Sequence, residues 1–131
     1  MGFILSYGRR ETVDGRRWTG DGGRTSYMGF ILIYTTHASQ EEAQRISNVL
    51  LETKRIACAN IFPIQSAYWW QGALEGGGEW VALLKTIPEN WESVKGEIAR
   101  LHPYEVPCII KIEAEANPEY ESWIRANVAT S

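Results

Sequence analysis

The strongest constraint on the fold is the stretch from Ala57 to Gly72, ACANIFPIQSAYWWQG, where an apolar, strand-like run ends in three consecutive aromatic residues, Tyr68, Trp69 and Trp70. Successive side chains on a strand point to opposite faces, so Trp69 faces away from Tyr68 and Trp70. The sheet of a single subunit seldom buries both faces. Either a partner subunit covers the second face or the rings line a site. The chain has 131 residues, 44% hydrophobic and 22% charged, which suits one globular domain with a real core.

The periodicities around this run predict its partners. Phe30 to Thr36, FILIYTT, is a β-branched and aromatic run suited to a buried strand. Ser39 and Glu42 form an S-x-x-E capping box, and Ala43, Ile46, Val49 and Leu50 recur at helical spacing, predicting a helix from about Gln40 to Thr53. Cys58 to Ile64 and Ala67 to Trp70 read as a second strand interrupted at Pro63, whose missing N–H suggests an edge or a bulge. The glycine-rich Gly72 to Gly78 is expected to turn the chain into a third strand, Glu79 to Ile87. After Pro88 come Trp91, Val94, Ile98 and Leu101 at helical spacing, then a fourth strand from Cys108 to Glu115. That strand places Ile110, Ile112 and Ala114 on one face and Lys111 and Glu113 on the other. Asn117 and Pro118 open a last helix with an apolar stripe of Tyr120, Trp123 and Ile124. The order β-α-β-β-α-β with an added helix is the α+β, ferredoxin-like split arrangement, with a long hairpin between its second and third strands.

Charge and cysteine content narrow the function. The net charge of −3 removes the electrostatic footprint of a general nucleic-acid binder. No apolar run has membrane-spanning length and no secretory leader is evident, so a cytoplasmic location without membrane association is expected. Cys58 and Cys108 suggest neither a disulfide scaffold nor a four-thiolate metal site, and both are read as reduced. Residues 1–27 differ from the rest: five arginines against three acidic residues, and half of the 12 glycines. This composition reads as a mobile arm; its apolar start could instead add a strand to a sheet edge. The string MGFIL occurs at both Met1 and Met28, and its origin stays open among duplication, an artefact and an upstream start. Residues 28–131 form the globular domain.

A sheet with helices on one face leaves the other uncovered, yet Ile61, Ile64, Tyr68, Trp70, Trp80, Ala82 and Leu84 load the hairpin with apolar groups. Exposed apolar area on that scale implies a closed homo-oligomer. Three motifs in order, ACANIFPIQSAYWWQG, LLKT at Leu83 to Thr86 and HPYEVP at His102 to Pro107, resemble the CutA divalent-ion-tolerance family. The resemblance spans Met28 to about Ala126. It implies a ferredoxin-like homotrimer, a cytoplasmic role in tolerance of divalent cations with copper binding, no established enzymatic activity and no required cofactor. Six positions depart from the family pattern. Cys108 stands where glutamate is common, Tyr34 and Leu101 replace a cysteine and a histidine of copper-binding members, and Gly76, Gly77 and Gly78 replace an often acidic run.

The candidate metal ligands are His102, Glu105 and Cys108, since imidazole and thiolate together suit copper or zinc. Each has a plainer reading: His102 caps a helix end, Cys108 packs in a core, and Glu105 seals a subunit contact. Tyr104, Lys85 and Thr86 are candidates for the same cleft, with a solvated strand-end pair as the plainer reading of the last two. Tyr68, Trp69 and Trp70 are assigned to the trimer contact, His37 to a surface loop, and Glu75 and Glu79 to solvent. Four thiolates for an iron–sulfur cluster are missing, as are the basic aromatic strands of an RNA-recognition module and the arginine loop of an acylphosphatase. A metal-tolerance trimer therefore stands beside one rival, a signalling or scaffold trimer holding a small ligand or partner protein at its clefts.

Overall fold

A computed structural model describes residues 29–130. The elements are β1 (Phe30–His37), α1 (Gln40–Glu52), β2 (Cys58–Trp70), β3 (Ala73–Thr86), α2 (Trp91–Leu101) after one 3-10 turn at Pro88–Asn90, β4 (Ile109–Ala114) and α3 (Pro118–Ala126). The strands form one antiparallel sheet in the order β2-β3-β1-β4, the ferredoxin-like arrangement expected. The readings of residues 1–27, as arm or added strand, lie outside the described residues.

Local chemistry explains the first crossover. The Ser39 hydroxyl accepts from the backbone N–H of Glu42 at 3.1 Å and starts α1, which ends at Thr53 before Lys54 takes a φ of 62°. Ala43, Ile46 and Leu50 then meet Ile31 and Ile33 of β1, Ala82 and Leu84 of β3, and Val94 and Ile98 of α2, forming the main core. These strand positions alternate, as a half-covered sheet requires.

On the other face, α3 covers one end. Ile124, Tyr120 and Trp123 pack with Phe30, Leu32, Ile87 and Ala114 in a second core. The expectation that the helices would leave this face bare is thus corrected: α3 shields one end of it. Asn117 precedes α3 without a side-chain capping bond; Glu121 accepts instead from Ala116 N at 2.6 Å and Gly29 N at 3.2 Å. A carboxylate is the stronger acceptor at a helix N-terminus, and it ties α3 to the start of β1.

The hairpin differs from its expected form. It turns over two residues, Gln71 and Gly72, both at positive φ (50° and 83°), between the paired Trp70 and Ala73. Two consecutive positive φ values match the right-handed twist of the flanking strands. Gly76, Gly77 and Gly78 therefore lie within β3, opposite Ala67, Ser66 and Gln65. β2 runs unbroken through Pro63, which its place at the sheet edge permits because the missing N–H points away from β3. The outermost strand positions are exposed, with Trp69 at 71% and Leu74 at 68%.

Candidate functional site

The hairpin and the loop after α2 flank an open cleft of about 670 Å³ on the part of the open face that α3 leaves free. Its floor includes Tyr34 and Thr36 of β1, its hairpin wall Ile64, Ser66, Tyr68, Trp70 and Glu79, and its loop wall Tyr104, Glu105, Val106 and Cys108. Among the described residues, no lysine, arginine or histidine lines it.

Glu79 ties the two walls together. One carboxylate oxygen accepts from Ser66 Oγ at 2.7 Å and the other from Tyr104 OH at 2.8 Å. The solvent role expected for Glu79 is therefore corrected, because two hydroxyls converge on it from different elements. Burial, followed by the bond to Glu79, pushes the Tyr104 phenol well above its ordinary range. The Cys108 thiol is also pushed up, by burial first and the Glu79 charge second, with a hydrogen bond from Thr36 acting the other way.

His102 holds the loop from behind. Its Nε2 lies 2.7 Å from the Thr36 carbonyl oxygen, which can only accept, so this nitrogen carries the proton. Its Nδ1 accepts from Tyr104 N at 3.1 Å. Both nitrogens are thus engaged within the subunit, and the ring packs between Tyr104 at 4.5 Å and His37 at 4.8 Å. His37 is fully buried, not the surface loop residue expected. β1 runs one residue longer than the sequence pattern indicated, which carries His37 onto the helix-covered face.

The structure thus brings Glu105, Cys108, Tyr104, Tyr68 and Trp70 to one cleft, with His102 behind it. Trp69 projects from the opposite side of the hairpin strand. Lys85 and Thr86 lie elsewhere, at the α3 end of β3. Lys85 Nζ donates to Tyr120 OH at 3.2 Å and sits over that ring, while Thr86 donates to the Arg55 carbonyl at 2.7 Å. Among the described residues, no group of three or more histidine, cysteine, aspartate and glutamate side chains is arranged to hold a metal ion. Sequence reasoning missed Glu79 as part of the cleft. Its pairing with Ile64 two positions from Ser66 is the only signal that pointed there, and it is invisible until the turn is placed.

Fold and cleft define a ferredoxin-like subunit with an extended hairpin arm and an acidic, ring-walled cleft alongside it. The chain belongs to the CutA1 divalent ion tolerance protein family, whose profile matches residues 31–127. It is 41% identical over 99 residues to the divalent-cation tolerance protein CutA of Thermotoga maritima, covering 75% of this chain and 98% of that one. The structure of the periplasmic divalent cation tolerance protein CutA from Archaeoglobus fulgidus superposes with a TM-score of 0.74 at 42% identity, over 76% of this chain and 99% of that one. The PII-like protein CutA from Nostoc superposes with a TM-score of 0.73 at 28% identity, over 77% and 99% of the two chains.

The cytoplasmic location expected from the sequence is overturned by the Archaeoglobus relative, which is described as periplasmic. A compartment is chosen by export signals that cellular machinery reads, and the packing of a folded domain does not encode that choice. Among the described residues, no helix is long and apolar enough to cross a membrane.

Proposed function

We propose that this chain acts in divalent-cation tolerance as a homotrimer that takes up copper, or a similar divalent cation, at the cleft. One observation carries the reading: among the described residues, the lining offers Glu79, Glu105 and Cys108 and no cationic side chain. Such a surface attracts cations and repels anionic effectors. Glu105 and Cys108 are the donors, an oxygen and a sulfur that together favour copper over magnesium or calcium. His102, with both ring nitrogens engaged, positions the loop that carries them. The ion is cargo, so the role is binding without catalysis, and no resident cofactor is needed. Partner subunits pack against the exposed hairpin and complete the cleft, with Trp69, Tyr68 and Trp70 at the contact. Neither a nucleic acid nor a membrane is a partner in this reading.

Calorimetric titration of the intact protein with copper tests it. Saturable binding that falls by about tenfold or more in Cys108→Ser and in Glu105→Gln is expected, each loss being worth roughly 1.4 kcal/mol or more. Binding unchanged in both variants, or no binding above nonspecific levels, overturns it. The likeness to the Nostoc PII-like protein favours one second reading, a signalling or scaffold trimer that holds a small ligand or partner protein at the same cleft. That reading gains if copper fails to bind.

A further inference from the structure

Between α2 and β4 the chain runs from His102 to Cys108 with few bonds of its own. Pro103 and Pro107 have no N–H to give, and Glu105 and Val106 are exposed. His102 fastens the start of this loop through Thr36 O and Tyr104 N, but that anchor lies ahead of both donors, Glu105 and Cys108. Among the described residues, the Tyr104 hydroxyl makes the only hydrogen bond from the loop to the hairpin, 2.8 Å to Glu79. Its acceptor is itself braced. Ser66 Oγ, on β2, donates to the other Glu79 oxygen at 2.7 Å, so the carboxylate is fixed across the β2–β3 pair where the loop meets it. Both bonds join side chains of one subunit, so a partner packed on the hairpin leaves them in place and shields them from water.

A loose loop loses conformational freedom when it closes on an ion, and a loop already fastened to a strand loses less. Building on the copper reading, we infer that Tyr104 and Ser66 are positioning residues for the ion: through Glu79 they pin the loop to the hairpin and so hold Glu105 and Cys108 ready to receive it. Neither hydroxyl is a donor to the ion; each acts through the carboxylate between them.

Copper calorimetry on the intact protein tests this, together with hydrogen–deuterium exchange of the Tyr104, Glu105 and Val106 amides in the metal-free state. Tyr104→Phe removes only the hydroxyl and keeps the ring and the backbone bond to His102. It is expected to weaken copper about fivefold, the worth of one ordinary hydrogen bond. Ser66→Ala, on the far side of Glu79 and outside the loop, is expected to weaken it about threefold, and Ser66→Thr, which restores a hydroxyl, to bind as the native chain does. The loop amides are expected to exchange faster in Tyr104→Phe and Ser66→Ala than in the native chain. Native copper affinity in both of those variants, a loss of affinity that Ser66→Thr shares, or unchanged loop exchange beside weakened binding overturns the inference and leaves the copper reading standing. No copper binding by the native chain overturns both.

Discussion

His37 and His102 show how two imidazoles of one chain acquire different chemistry. His102 has a partner on each nitrogen, whereas His37 accepts or donates only through Nε2 to Thr35 Oγ1 at 2.7 Å and leaves Nδ1 buried without a partner. A proton on that second nitrogen would be neither solvated nor bonded. Burial first, and the neighbouring His102 second, lower the His37 pKa to about 4. In the unfolded chain an imidazole titrates near 6.5, so below that pH the unfolded state binds the proton that the folded state refuses. The stability is fully present above about pH 6.5, declines by up to roughly 1.4 kcal/mol per pH unit on acidification, and levels off near pH 4. Urea midpoints measured between pH 7 and pH 4.5 are expected to fall more steeply for the native chain than for His37→Phe, which keeps the ring stack without the titration. Equal slopes would show that His37 protonates freely in the folded state.

Within the hairpin, glycine acts by proximity at one position and by conformation at another. A Cβ on Gly76 would lie 2.8 Å from the Ser66 carbonyl oxygen, a backbone atom that cannot move aside, and Gly77 holds a φ of 147°. Gly78 is different, because its nearest neighbour is the flexible end of the Gln65 side chain at 3.7 Å. Gly76→Ala is therefore expected to destabilise the protein by about 1–3 kcal/mol through overpacking, while Gly78→Ala stays within about 0.5 kcal/mol. Chemical denaturation of both variants checks the contrast, and similar midpoints would contradict the close approach. The hairpin also marks where legibility ended. An apolar run and its return were readable from Cys58 to Ile64, Ala67 to Trp70 and Glu79 to Ile87, but Gly72 to Gly78 looked like a turn because glycine clusters usually are one. Which residues turn depends on register, and register is a pairing between distant positions.

For the whole molecule, α3 and the cleft take only part of the open face: Phe62, Ile110 and Ile112 stay exposed on it, and the most exposed rings lie on the hairpin. Trp69 and Leu74 project side by side from paired positions while contributing little to either core. An exposed patch of that kind calls for association. Light scattering is expected to give three times the 14.8 kDa chain mass. The double variant Trp69→Asp with Leu74→Asp is expected to run as a folded monomer, since both residues are exposed within the subunit. A native chain that stays monomeric at micromolar concentration would overturn the trimer.

Element type and order were determined by the sequence alone, because the spacing of Ala43, Ile46 and Leu50 or of Val94 and Ile98 follows from local helix geometry. The loop residues Tyr104 and Glu105 were legible as a group because Pro103 and Pro107 bracket only three positions, with Cys108 directly after them. Tertiary structure alone decided that Lys85 and Thr86 serve the α3 end, that Glu79 joins the hairpin to the loop, and that His37 is buried against His102. Each of these depends on a contact between residues at least 25 positions apart, and no local pattern records such a contact.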